Sequence, residues 1–168
     1  MQFAKDSFYA ALRDRLAVVN PTRTVTINGA VRPAVIVAEN EPVTAALPLA
    51  HAFYVGWGAA QPAPGEASAK RPLVALVCHI SYGSSGTLDG EVNRGREMGA
   101  LDGELFAICS PGKTNKRDLT QTPAVDLGSY VIWTKPQMKD IHTDRKTGLA
   151  LFRTAEVTVF FFPEVDWS

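Results

Sequence analysis

RTAEVTVFFFPE, residues 153–164, is the stretch that decides the fold. Successive side chains of a β-strand point to opposite faces of its sheet. From residue 155 onward one face would carry Ala155, Val157, Val159 and Phe161, and the other Glu156, Thr158, Phe160 and Phe162. The alternation therefore predicts a strand over 150–162 with one face in a hydrophobic core. Pro163, which cannot donate a backbone hydrogen bond, would end it.

Other segments predict further strands around this one. LVALVCHISY, residues 73–82, begins with six apolar or alanine residues, which predicts a central strand buried on both faces. GSYVIWT, residues 128–134, is a third strand. TRTVTI, residues 22–27, precedes Asn28-Gly29, a strong hairpin turn signal, and the return strand covers 31–39.

Two segments have the apolar spacing of helices. Residues 4–19 place Phe8, Leu12, Leu16 and Val19 on one face. Residues 88–108 place Met98, Leu101, Leu105 and Ile108 on one face, but also contain four glycines, each of which costs about 1 kcal/mol relative to alanine in a helix. This second helix must be held by packing, or its glycines let a neighbouring backbone approach closely.

These elements predict an α+β fold, in which a mostly antiparallel or mixed β-sheet carries two packed α-helices. The 168 residues suit a single domain covering 1–168. Long loops are expected at about 59–72, 111–126 and 135–148, where proline, glycine or polar residues interrupt the apolar pattern.

The composition gives no support for several classes of partner. Seventeen basic and seventeen acidic residues cancel, so the charge gives no argument for specific nucleic-acid binding or for an anionic membrane. No apolar run approaches the roughly 18 residues of a membrane-spanning helix. Cys78 and Cys109 form no CxxC motif and are expected to be buried, reduced thiols of a protein made in the cytoplasm.

No segment offers a catalytic or cofactor motif, so neither a metal nor another cofactor is predicted. AICSPGKT, residues 107–114, ends like a phosphate-binding loop, but Ala107 stands where the first glycine is required and no long helix is expected to follow. Cys78 and His79 would point to opposite faces of a strand. A small enzyme that depends on Cys78 or on the loop at Lys113 remains the alternative.

Three groups of residues are candidates for an interface. Phe160 and Phe162 would lie on the strand face opposite to the core, where large aromatics mark an interaction surface unless a helix covers them. Phe53, Tyr54 and Trp57 form an aromatic cluster. A basic loop contributes Lys113, Lys116 and Arg117. The alternative is a sheet covered on both faces by the chain's own two helices.

The order of elements resembles the tail terminator proteins, or tail completion proteins, of tailed bacteriophages. The resemblance is carried by FYAALRDRLAVV (8–19), VRPAVIVAEN (31–40), RPLVALVCHISYGSS (71–85), GEVNRGREMGALDGELFAI (90–108) and RTAEVTVFFFPE (153–164). It covers most of the chain as a succession of elements, and contains no sharp motif.

The resemblance implies a structural virion protein without catalytic residues. Such subunits form a homo-oligomeric ring, commonly a hexamer, that caps the tail tube protein and joins it to the head–tail connector. A ring subunit makes heterologous contacts, so two different surfaces must bind. The implied location is the tail or neck region of a virion assembled in the bacterial cytoplasm. Another neck or head-completion connector protein is the closest alternative.

Overall fold

Two helices lie within the described residues. The first buries Phe8, Leu12 and Leu16 of its predicted face, whereas Val19 at its end is 45% exposed, so the prediction for Val19 is wrong. The computed structural model describes residues 1–41, 50–84, 93–143 and 150–164. Helix α1 spans Gln2–Val19 and helix α2 spans Asn93–Ile108. The buried face of α2 consists of Met98, Leu101, Leu105 and Ile108, as predicted. Residues 88–92 of the predicted second helix lie outside the described ranges.

Ten strands lie within the described ranges. They are β1 (Thr24–Ile27), β2 (Ala30–Pro33), β3 (Val35–Val37), β4 (Phe53–Pro62), β5 (Val74–Gly83), β6 (Gly112–Asp118), β7 (Val125–Trp133), β8 (Gln137–Met138), β9 (His142–Thr143) and β10 (Leu151–Phe161).

Most strands join one curled sheet. Its order is β3-β4-β5-β10-β7-β6, and β8 and β9 also pair with β10. All pairings in it are antiparallel except that between β3 and β4. β1 and β2 form a separate hairpin. The prediction of a single α+β domain with a mostly antiparallel or mixed sheet is confirmed.

The predicted hairpin turn is present, but the strand after it is divided. Asn28 and Gly29 both have positive φ, 52° and 79°, which is the pairing that a tight two-residue hairpin turn requires. The predicted strand 31–39 is two strands, β2 and β3, which belong to different sheets. The break falls at Ala34, directly after Pro33, where the Ala34 amide donates to the carbonyl of Arg23.

Both helices lie on the same side of the sheet, which is called the inner face here. Phe8 of α1 packs edge-on against Trp57 and Trp133, with ring centroids 5.8 and 5.2 Å apart. From α2, the Asp102 carboxylate accepts a hydrogen bond from the hydroxyl of Tyr82 in β5. The sheet is therefore covered by helices on one face, and the predicted alternative of a helix on each face is wrong.

The one-sided cover also corrects the prediction for β5. This strand is central, as expected, but its burial alternates, and the side chains of Val77, His79 and Ser81 are only half-buried. The run LVALVC contains apolar residues on both faces, and those on the outer face have no helix to pack against. The prediction that β5 is buried on both faces is therefore wrong.

All three predicted long loops contain strands. β4 continues through residue 62, and β6 with the start of β7 takes most of 111–126. The range 135–148 includes β8 and β9, and its residues 144–148 lie outside the described part. The sequence of β6, GKTNKRD, is polar throughout, so it gives no apolar alternation by which a strand could be recognised.

Helix α1 protects both edge strands of the sheet. At one edge, the Ser7 hydroxyl accepts a 2.9 Å hydrogen bond from the Arg117 amide of β6. At the other edge, the Arg13 guanidinium donates to the Val35 carbonyl of β3 at 3.1 and 3.2 Å. Unpaired edge groups are templates for strand addition from another chain. These side chains occupy such groups on both edges.

Candidate interaction surface

The outer face of the sheet is the side that neither helix covers. Directly opposed residues of neighbouring strands share a face, so the register assigns its members. Glu156 lies opposite His79, Thr158 opposite Val77, and Phe160 opposite both Ala75 and Ile132. This face changes along β10 from polar near its beginning to apolar near its end.

The apolar end is called the outer strip here and comprises Lys113, Tyr130, Ile132 and Phe160. Ile132 lies between Lys113 of β6 and Phe160 of β10. The ammonium of Lys113 sits 4.8 Å from the centroid of the Tyr130 ring, within cation–π range. Phe162, which the alternation also assigned to this face, follows the last residue of β10, is 46% exposed and lines a cleft together with Phe3 of α1. Within the strip, Tyr130 and Ile132 remain 54% and 42% exposed. Several large apolar side chains are thus grouped on an uncovered face.

The polar end of the outer face is organised around Glu156. Lys139 contacts its carboxylate at 2.6 Å, and His79 Nδ1 lies 3.7 Å away. The hydrogen bond from Lys139 lowers the pKa of Glu156, so this carboxylate is ionised at neutral pH. An exposed, charged region of this kind suits a solvated rim beside an apolar contact area.

The predicted aromatic cluster is divided between the two faces. Phe53 is completely buried on the inner face, with its ring 5.5 Å from that of Tyr82, so the prediction that Phe53 contacts a partner is wrong. Trp57 also lies on the inner face, half-buried against Phe8, while Tyr54 is half-buried on the outer face opposite Ser81. Of the three, only Tyr54 lies on the uncovered side of the sheet.

The predicted basic loop is the strand β6, and its three basic residues have different environments. Lys113 belongs to the outer strip. Lys116 is 4% exposed, so the prediction that it forms part of an exposed interface is wrong. Its Nζ donates a 2.7 Å hydrogen bond to the Phe162 carbonyl. Arg117 is half-buried, and its backbone binds Ser7 of α1.

The phosphate-loop resemblance at 107–114 lacks the required backbone arrangement. A phosphate-binding loop leads into a helix whose first amides face the anion. Here the order is reversed, because α2 ends at Ile108 and the strand β6 begins at Gly112. The guanidinium of Arg15 also donates to the carbonyls of Ile108 and Ser110, and this satisfies the end of α2.

Neither cysteine has the environment of a nucleophile. Cys78 and Cys109 are completely buried. Burial raises the pKa of Cys78 well above its ordinary value and that of Cys109 to about 12, although Arg15 partly opposes the shift at Cys109. The reactive form of cysteine is the thiolate. Both side chains are therefore protonated at neutral pH and inaccessible to a substrate.

Two arrangements were not foreseen from the sequence. One is a hydrogen-bonded network in which the Asp102 carboxylate accepts from Tyr82 and from Arg153, both at 2.6 Å, and so ties α2 to β5 and β10. The other is the place of Tyr130 and Ile132 in the outer strip. The sequence SYVIW does contain this signal, because Tyr130 and Ile132 alternate with the buried Val131 and Trp133.

Within the residues that the structure describes, no three His, Cys, Asp or Glu side chains converge to hold a metal ion. In the same part of the chain, no helix is both long and apolar enough to cross a membrane. Comparison with known proteins found no family model that matches this chain and no significant match among curated proteins.

Proposed function

We propose that this chain is a structural subunit of a homo-oligomeric ring at the head–tail junction of a phage or phage-like particle, as in a tail terminator. The observation that carries the proposal is the outer strip, an apolar surface on a sheet face without helical cover. Contiguous exposed apolar surface of this kind is typical of protein interfaces. The order of elements, which resembles that of tail terminators, supplies the specific role.

The way in which the sheet edges are protected supports contact through faces instead of edges. Ser7 and Arg13 occupy backbone groups of β6 and β3, which stand at the two ends of the described strand order. Growth of the sheet by strand addition is therefore hindered at both ends. A ring needs two different complementary surfaces on each subunit. The outer strip is proposed as one of these, and the second lies elsewhere on the same subunit.

The proposed partners follow from this role. The subunit would bind other copies of itself, in a ring that we propose is a hexamer. One side of the ring would contact the tail tube protein, and the other the head–tail connector, within the tail or neck region of the virion. The chemistry is structural and uses no cofactor.

The test is the mass of the purified protein, measured by light scattering over a range of concentrations. We expect a species about six times the 18.1 kDa of the chain. Replacement of Tyr130 and Ile132 by serine should shift the mass to that of the monomer. The matched control is Val18→Ser, which removes an apolar residue that is 83% exposed at the end of α1 and outside the outer strip.

Two results would contradict the proposal. One is a monomer of 18.1 kDa at every concentration for the unmodified chain. The other is an oligomer that survives the double serine substitution, because its interface would then lie on a different surface. Circular dichroism of each variant, compared with that of the unmodified chain, separates loss of assembly from loss of folding.

A further inference from the structure

The hairpin formed by β1 and β2, called the ribbon here, keeps free strand edges, unlike the curled sheet. In that sheet, α1 occupies backbone groups at both ends of the described strand order, through Ser7 and Arg13. Among the described strands, β1 and β2 pair only with each other. Each of them therefore has one edge along which no described strand lies. Unpaired edges of this kind are templates for pairing with another chain.

The register shows which backbone groups of the ribbon point outward. Ile27 and Ala30 flank the two-residue turn, so they exchange both backbone hydrogen bonds, and every second pair does the same. Thr26 and Val31 form the pair in between, whose amides and carbonyls point away from the partner strand. Within the described residues, no other backbone group bonds to them. The centre of each edge thus offers one free donor and one free acceptor.

These outward groups belong to accessible residues. Val31 is 68% exposed and Thr26 is also exposed, on the side of the ribbon that faces away from the core. The opposite side carries Val25 and Ile27, which pack against the core. The ribbon is therefore held in place from one side while its outward edge groups stay open to another chain.

The ribbon lacks the charges that usually protect an exposed edge. Its one charged side chain, Arg32, is bound by the Glu41 carboxylate. Thr26 and Val31 are β-branched, the type of residue that favours strand pairing. Pro33, which has no amide hydrogen, limits pairing at the end of β2. An added strand would therefore pair at the centre of the ribbon.

We propose that the β1 edge of one subunit pairs with the β2 edge of the next subunit, antiparallel and with Thr26 opposite Val31. The Thr26 amide would donate to the Val31 carbonyl, and the Val31 amide would donate to the Thr26 carbonyl. The inference rests on the proposed ring and names the second pair of complementary surfaces that such a ring requires.

The ribbon itself favours a second copy of the chain as the occupant. Its two edges present matching donors and acceptors at directly opposed residues, so each edge supplies what the other lacks. When successive copies are related by rotation about an axis along the ribbon, β1 of one copy runs antiparallel to β2 of the next. The two edges are different surfaces, so the contact is heterologous. Thr26 and Val31 lie outside the outer strip, so the two contacts can be tested separately.

The test compares Thr26→Pro with Thr26→Val by light scattering. Proline removes the outward amide hydrogen but breaks no hydrogen bond inside the ribbon, because that amide is not used there. Valine keeps both the amide and the branched shape of the side chain. We expect Thr26→Pro to raise the concentration at which half of the chains are assembled about tenfold or more, which corresponds to about 1.4 kcal/mol, and Thr26→Val to leave it unchanged.

Amide hydrogen exchange provides a second measurement that needs no substitution in the ribbon. The Thr26 and Val31 amides should exchange about tenfold or more slowly in the assembled chain than in the monomeric variant with serine at positions 130 and 132. The Val25 amide, which is bonded within the ribbon, should be equally protected in both states and serves as the control. This comparison decides the question even if Thr26→Pro does not fold.

The outcomes separate this inference from the proposed function. A chain that is monomeric at every concentration would overturn both. An oligomer that dissociates in the double serine variant, but assembles equally well with proline or valine at position 26, would overturn the strand pairing alone. Equal exchange rates of the Thr26 and Val31 amides in both states would do the same. Equal loss of assembly in the proline and valine variants would also overturn the pairing, because the neighbour would then contact the side chain and not the strand edge.

Discussion

Replacement of glycines in α2 by alanine should stabilise the protein. Gly95, Gly99 and Gly103 are exposed, and a methyl group built on any of them would meet no atom within 4 Å. None of them has positive φ. The second explanation for these glycines, close approach of a neighbouring backbone, is thus wrong within the monomer. Nothing in the structure offsets the conformational freedom that glycine retains in the unfolded chain.

The magnitude follows from the intrinsic helix preferences. Each Gly→Ala change should add about 0.4–1 kcal/mol to the free energy of unfolding. The three together should add about 2 kcal/mol, which for a chain of this size raises Tm by roughly 4–8 °C. Thermal and urea unfolding, monitored by circular dichroism, would measure both quantities.

Gly128 provides the matched control for this experiment. An added methyl group there would also meet no atom within 4 Å, but φ is +70°, where residues with a side chain are strained. Gly128→Ala should therefore destabilise the protein by about 1–2 kcal/mol. Open space surrounds Gly128 as it does the glycines of α2, so the backbone angle alone decides whether alanine stabilises or destabilises the protein. A triple alanine variant that is no more stable than the unmodified chain would refute the reasoning.

Three further predictions concern buried groups. Tyr82→Phe should reduce the free energy of unfolding by about 1.5–3 kcal/mol, because the Asp102 carboxylate loses the hydroxyl donor 2.6 Å away; an unchanged urea midpoint would contradict this. Burial raises the pKa of Glu104, but hydrogen bonds from Arg23 and Asn20 outweigh the effect of burial and lower this pKa below its ordinary value of 4.5. The ionised carboxylate should thus contribute its full stabilisation above pH 4.5, and this contribution should be lost as the pH falls through the lower pKa of the folded state. The free energy of unfolding of Glu104→Gln should therefore fall less in acid than that of the unmodified chain. Identical pH profiles for the two proteins would disprove the assignment. Cys78 and Cys109 should not react with a thiol reagent such as dithionitrobenzoate in the folded protein at neutral pH and should both react in denaturant; rapid reaction of either in the folded state would revive the thiol-enzyme alternative.

The regular elements could be predicted where burial leaves a periodic trace in the sequence. β10 alternates because one of its faces packs against helices, and α2 repeats apolar residues on the side that meets the sheet. The sequence of β6 predicts a loop, because its strand conformation depends on pairing with β7 and on α1, neither of which requires apolar residues. Partners that are distant in sequence impose such a strand, so no local pattern reveals it.

The candidate surface was only partly predictable for a related reason. An aromatic or basic residue type says nothing about which side of the sheet will be covered. Phe53 and Phe160 are the same residue type in strands of one sheet, yet one is enclosed by the core and the other lies on the outer face. The residue type predicts Lys116 at the surface, because lysine usually lies there. Its burial results from the path of the chain after β10, which no nearby residue signals.

The position of α1 has a consequence for synthesis on the ribosome. This helix is made first, but its partner residues in β6 follow more than a hundred positions later, as the pairing of Ser7 with Arg117 shows. During translation, α1 can meet β3 and β4 early, but its partners in β6 are missing until about two thirds of the chain has emerged. Contacts between such distant segments slow folding and prolong exposure of apolar surface. We expect nascent chains to be the form of this protein most dependent on chaperones.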